Sequence, residues 1–143
     1  MRILVSACLL GVRCRYDGES KACPAVLDLA KEHELIPICP EQLGGLPTPR
    51  VPAEIQGERV MTRDGRDVTQ AYQEGAEEAT RLYQLLCCEC AILKARSPSC
   101  GCGQVYDGTF SGALVPGDGM TARALKERGA PVTTEEALDS FLS

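Results

Sequence analysis

Arg2-Ile3-Leu4-Val5-Ser6-Ala7-Cys8 opens the chain with a short apolar run that ends in small residues and a cysteine. One basic residue and so brief a run do not make the h-region of a signal peptide; the stretch reads as a buried β-strand. The same pattern returns twice. Leu35-Ile36-Pro37-Ile38 stops at Cys39-Pro40-Glu41, and Ala91-Ile92-Leu93 runs into Lys94-Ala95-Arg96-Ser97-Pro98-Ser99-Cys100-Gly101. Between the first two strands, residues 24–33 read as a helix, with Pro24 in its first turn and Val26, Leu27, Leu29 and Ala30 on its apolar side. Between the second and third, residues 70–86 carry Ala71, Tyr72, Ala76, Ala79, Leu82 and Tyr83 at helical spacing, with Thr69 expected as the cap.

The remaining segments fill in around this frame. Residues 44–52 hold two Gly and three Pro and form an irregular loop. Residues 59–62 with a turn at Asp64-Gly65 predict a small hairpin. A glycine-rich segment follows Cys100, then a helix over 120–128, a short strand over 131–133 and a last helix from about Thr134. Strands alternating with helices predict an α/β fold. The expected form is a small parallel, Rossmann-like sheet with helices on both faces, one domain over residues 1–143.

In open parallel sheets, ligands bind beyond the carboxyl ends of the strands. Cys8, Cys39 and Cys100 each follow a predicted strand end, so the topology brings them to one edge although they are far apart in sequence. Thiolates are soft ligands, and three of them round an open position suit zinc or an iron–sulfur cluster.

The chain has 143 residues, nine of them Cys, and a net charge of −5. An odd cysteine count without an export signal argues against a disulfide framework and for metal ligation, reactive thiols or packing in a reducing cytoplasm. No Lys/Arg cluster is dense enough to track phosphates, which argues against a nucleic-acid polymer as partner. The acidic balance fits a small neutral molecule, a phosphate-free base or nucleoside, better. No apolar run approaches the roughly 20 residues that span a bilayer, so no membrane partner is expected. Oligomeric state is not encoded in any motif.

Several long motifs carry a resemblance. The segments Ile3-Leu4-Val5-Ser6-Ala7-Cys8-Leu9-Leu10-Gly11, Arg15-Tyr16-Asp17-Gly18, Cys39-Pro40-Glu41, Gly44-Gly45-Leu46-Pro47-Thr48-Pro49-Arg50, Lys94 to Gly101 and Tyr106-Asp107-Gly108-Thr109-Phe110-Ser111-Gly112 resemble the 2-thiouracil desulfurase family. The resemblance runs over nearly the whole chain. It implies a [4Fe–4S] cluster on three cysteines that match Cys8, Cys39 and Cys100, with a fourth iron left open for the sulfur of a thiolated base. Some relatives carry a further C-terminal domain, which these residues do not include.

Replacing C=S by C=O in such a base needs an activated water and a proton-handling group. Glu41, two residues after Cys39, is the expected base; a solvated or helix-capping Glu is the bland alternative. Given the resemblance, Ser97 is expected to be catalytic, and Ser99, Asp17 and Arg96 to bind substrate. Turn chemistry and loop-bracing ion pairs are the plain readings of these four.

The other cysteines are set aside. Cys14 can reach the site edge and offer a fourth thiolate, but the family pattern does not require it. Cys87, Cys88 and Cys90 lack a partner pair at zinc-finger spacing and read as packing. Cys102 is the nearest rival of Cys100, because either thiol of a Cys-x-Cys pair can ligate. His33 reads as a solvated residue. Two other functions stay open: a non-enzymatic metal-binding or redox-sensing thiol module, and a cluster enzyme acting on another sulfur compound.

Overall fold

Ile3, Leu4 and Val5 are wholly buried, and their alternation decides how the sheet is covered. The computed structural model describes residues 1–139. Its strands and helices are β1 (Arg2–Ser6), α1 (Pro24–Asp28), β2 (Glu34–Ile38), α2 (Pro40–Leu43), β3 (Ala53–Gln56), β4 (Arg59–Thr62), α3 (Thr69–Leu85), β5 (Cys90–Leu93), β6 (Gln104–Tyr106), β7 (Leu114–Pro116), α4 (Met120–Glu127) and β8 (Val132–Thr134). Four strands make a parallel sheet in the order β2-β1-β5-β8. Successive side chains of a strand point to opposite faces. Leu4, Ala91 and Leu93 therefore pack with Ala79 of α3 and Ala122 and Leu125 of α4. Ile3, Val5, Cys90 and Ile92 pack on the other face with Leu9 and Val26 of α1. The expected α/β fold with helices on both faces is what forms.

The chain leaves β1 toward β2 on one side and returns to place β5 on the other, so the strand order reverses beside β1. This reversal opens a crevice at the carboxyl ends of the strands. Two excursions wall it. β3 and β4 form an antiparallel hairpin between β2 and α3, and β6 and β7 form a second one between β5 and α4.

The elements differ from expectation in five places. The first helix ends at Asp28 and continues only as a 3₁₀ turn over Leu29–Lys31. Thr69 begins α3 but does not cap it: its Oγ1 accepts the Val60 N–H at 2.8 Å, tying helix to hairpin. Strand β4 pairs with the upstream β3 across a turn at Gly57-Glu58, while the turn at Asp64-Gly65 closes a separate loop through the Gly65 N–H to Thr62 O bond. The glycine-rich segment holds the β6–β7 hairpin, hidden because three-residue strands leave no periodicity to read. The expected helix from Thr134 is instead the end of β8 and a turn at Glu135-Glu136; its continuation beyond Asp139 lies outside the described residues. Among the described residues no helix is long and apolar enough to cross a membrane.

Candidate metal centre and active site

Three loops meet at the carboxyl edge of the sheet. β1 tightens at once into a 3₁₀ turn over Ala7–Leu10 that carries Cys8. β2 passes through Cys39, which stands immediately before α2 with Pro40 in the first turn, so Glu41 lies in that turn too. β5 leads into the loop that ends at Cys100, and the Lys94 N–H donates to Ser6 Oγ at 2.8 Å, fastening the ends of β5 and β1 together.

These loops line a cavity of about 700 Å³. Cys8, Cys39 and Cys100 all face it, and so does Cys14. The other five cysteines lie outside its lining. Cys102 directs its thiol to Val132 O at 3.7 Å, and Cys88 and Cys90 are buried near the amino end of β5. All nine cysteines are free thiols. Position thus separates four cavity thiols from five others, which spacing alone could not do.

Cys14 is nearer the centre than its sequence position implies. Its carbonyl faces the Cys39 thiol at 3.7 Å. Contact with Cys39 lowers the Cys14 pKa, but contact with Cys8 and burial outweigh it and raise the thiol to about 11. Cys39 is pushed up strongly by its contact with Cys14 and by burial, and burial lifts Cys100 to about 12. Without metal these groups stay protonated near neutral pH, so metal loading must displace protons.

Glu41 and Arg50 form the best-buried ion pair of the site, with side chains only 14% and 7% exposed. Arg50 Nε donates to Glu41 Oε2 at 2.9 Å, and Nη2 closes on the same oxygen. The guanidinium also donates to Cys14 O at 2.9 Å, Pro47 O at 3.2 Å and Thr48 Oγ1 at 3.0 Å. Tyr72 of α3 completes this corner, almost wholly buried and close to Glu41, Arg50 and the thiols. Burial pushes its phenol well above the usual range, so it stays a hydrogen-bond donor.

Ser97 lines the cavity. Its Oγ accepts the N–H groups of Ser99 and Cys100, each at 3.0 Å, so the hydroxyl shapes the loop that presents the Cys100 thiol. Its own hydrogen remains available to donate. Ser99 sits elsewhere: it is 0% exposed, its hydroxyl bonds Thr121 Oγ1 at 3.0 Å, and its carbonyl takes the Thr121 and Ala122 N–H groups of α4. Ser99 is thus an anchor between loop and helix, outside the cavity lining. Asp17 is also outside that lining; it accepts the Glu19 N–H and pairs with Arg15. Arg96 lines the cavity with its guanidinium on Glu136.

Lining residues that escaped the sequence reading of roles include Arg50, Glu54, Tyr72, Phe110 and Glu135. Glu135 accepts the Ala95 N–H at 2.8 Å and pairs with Lys94 at 2.8 Å, clamping the end of β5. Six cations and three carboxylates line the cavity, so the overall charge of −5 does not describe it. Among the described residues Lys21 and Arg63 have no carboxylate partner.

The donor set fits an iron–sulfur cluster. Three soft thiols arrive on separate loops around a shared space, which matches a cubane whose irons each take a different thiolate. Among the described residues no three His, Cys, Asp or Glu side chains converge on a point that would hold one ion.

Comparisons with known proteins point the same way. The uncharacterised protein YbbK of Bacillus subtilis strain 168 is 42% identical over an alignment of 150 positions, covering 98% of this chain and 99% of that one. A solved structure of TudS, a [4Fe–4S]-dependent thiouracil desulfidase, superposes with a TM-score of 0.92 at 45% identity, over 97% of this chain and 93% of its own. The profile of the 2-thiouracil desulfurase family matches residues 3–137 and so takes in every cavity-lining loop, and the chain belongs to that family.

Proposed function

We propose that the chain removes sulfur from a small thiolated pyrimidine of the 2-thiouracil type, with a [4Fe–4S] cluster held by Cys8, Cys39 and Cys100. The observation that carries this reading is the meeting of those three thiols with Glu41 and Ser97 round one cavity at the sheet's carboxyl edge. The family membership and the likeness to a thiouracil desulfidase support it. A reducing cytoplasm, where nine free thiols persist, is the setting that suits it.

The overall change is a hydrolysis: water enters, C=S becomes C=O and sulfide leaves. Bound to the three thiolates, the cluster would supply a thiophilic Lewis acid that polarises the C=S bond. The chain's own residues handle the rest. Arg50 fixes Glu41 by one oxygen, and Glu41 Oε1 takes the proton of the attacking water. Ser97 holds Cys100 through its acceptor lone pairs and donates its hydrogen to the substrate. Arg96 can hydrogen-bond the substrate at the cavity edge. Ser99 and Asp17, expected to bind substrate directly, act from behind the cavity wall by bracing its loops.

The test is anaerobic purification, reconstitution with iron and sulfide, and an iron count per chain beside turnover of 2-thiouracil. Near four irons with uracil and sulfide released is the expected result. Iron without turnover would redirect the search to other sulfur compounds, and no bound iron would favour a thiol module. Lys21 and Arg63 favour a second reading of substrate range, a thiolated ring with an anionic substituent, so the assay should compare neutral and charged forms of the ring.

A further inference from the structure

We infer that Phe110 is the platform on which the flat ring of the substrate stacks; this rests on the proposed desulfuration of a pyrimidine-like ring. Phe110 lines the cavity but belongs to neither hydrophobic core cluster. It is only half-buried, so its ring is not sealed in the interior.

The backbone beneath it is costly to build. Phe110 has φ +56°, left-handed for a residue with a Cβ, a conformation that costs on the order of 1–2 kcal/mol and persists only where the surroundings impose it. Here the imposition is visible. Glu54, 9% exposed, accepts the N–H of Gly108 at 3.0 Å and the N–H of Phe110 at 3.1 Å on the same oxygen, Oε1. Gln56 Nε2 donates to Gly108 O at 2.8 Å. Gly108, at φ +93°, lies so close to β3 that a Cβ there would stand 2.7 Å from Ile55 O. A buried carboxylate without a cationic partner among the described residues is expensive, and this one is given over to two backbone N–H groups of the loop.

The ring itself is held as well. The Arg63 guanidinium lies over it at 5.6 Å from the centroid, a cation–π contact that restrains its tilt. Strain, a buried acid and a cation thus converge to hold this aromatic surface at the cavity wall. A planar heteroaromatic ring is the ligand class such a face recognises, and stacking on an aromatic side chain is worth about 1–3 kcal/mol per base.

The chain has no Trp, so Phe110→Trp places a lone indole in the wall, excited selectively to the red of the tyrosines. In cluster-loaded protein, uracil, which cannot turn over, is expected to quench it saturably. Phe110→Leu keeps apolar bulk without a flat face; it should raise KM for 2-thiouracil about 10- to 100-fold, with iron per chain and melting temperature near wild type. A Phe110→Leu enzyme with wild-type KM, or Trp emission unmoved by uracil, would overturn the assignment. Should loaded wild-type protein fail to turn over 2-thiouracil, the desulfuration reading falls separately, and the quenching titration still decides whether this wall binds a planar ring.

Discussion

Two N–H groups of Arg50 close on one oxygen of Glu41, Oε2, and leave Oε1 without a partner among the described residues. A forked guanidinium more often takes both oxygens of a carboxylate. Here the second oxygen is left free, on a side chain that lines the cavity.

The pair is therefore expected to separate chemistry from assembly. Glu41→Gln keeps the shape but loses the base and the charge that balances Arg50, so kcat should fall about 10²- to 10⁴-fold and stability by about 3–5 kcal/mol, while iron per chain stays unchanged. Arg50→Lys keeps the charge but not the fork that reaches Cys14, Pro47 and Thr48. It should lower kcat and the melting temperature together, because the lost fork leaves acceptors at Cys14, Pro47 and Thr48 unpaired, each worth about 1–3 kcal/mol where buried. An Arg50→Lys enzyme with unchanged kcat would show that Arg50 does not position the base.

The sheet was legible because β1, β2 and β5 are apolar runs that stop abruptly, and the parallel order follows from the segments between them. The convergence of Cys8, Cys39 and Cys100 on one edge followed from that order. Arg50 was not legible as Glu41's partner, since nothing periodic links a proline-rich loop to a helix nine residues earlier. Cys14 was undervalued for a related reason: a loop residue's depth depends on how the loop folds back, and here Arg50 draws its carbonyl inward. Ser99 shows the opposite case, a serine whose hydroxyl touches the Cys100 thiol and Thr121 behind the cavity lining instead of reaching into it.

Ser97 carries two duties that a pair of variants can divide. Ser97→Ala removes the acceptor for two N–H groups and any proton donated to substrate, so both iron retention and turnover should drop, with a stability loss of about 1 kcal/mol. Ser97→Thr keeps the hydroxyl and should restore iron retention. Full turnover in Ser97→Ala would remove Ser97 from both roles.

The four cavity thiols should fall into two groups. Cys8→Ser, Cys39→Ser and Cys100→Ser should each fail to hold a full complement of iron after anaerobic reconstitution, whereas Cys14→Ser should keep near four irons per chain. Loss of the cluster in Cys14→Ser, with retention in one of the other three, would show that the ligand set is wrong.

Burial raises the Cys90 thiol to about 11, with Glu89 and Cys88 adding to the effect. Below pH 9 the thiol is protonated whether the chain is folded or not. Between pH 9 and 11 only the unfolded chain releases the proton, so folding stability declines as pH rises, by about 2–3 kcal/mol from this group. Cys90→Ala should be less stable than wild type at pH 8 for loss of packing, and the two curves should converge toward pH 11. Urea unfolding of cluster-free protein measures this; parallel curves would sink the idea.

Gly75 sits in the middle of α3, where glycine costs on the order of 1 kcal/mol relative to alanine. Its reason is the close approach of α2: a Cβ at Gly75 would stand 1.9 Å from Pro40 O, and one at Gly44 would stand 1.9 Å from Ala71 O. Backbone meets backbone here, so neither side can rotate away. Pro40 lies between Cys39 and Glu41, and any retreat of α2 carries the ligand and the base with it. Gly75→Ala should thus destabilise the protein despite its better helix propensity, and it should lower both iron content and kcat. Gly18→Ala, where no atom lies within 4 Å of the added Cβ, serves as the comparison for a glycine held by its backbone conformation alone. If Gly75→Ala instead raised the melting temperature with full activity, the contact between α2 and α3 would not be what sets the position of Cys39 and Glu41.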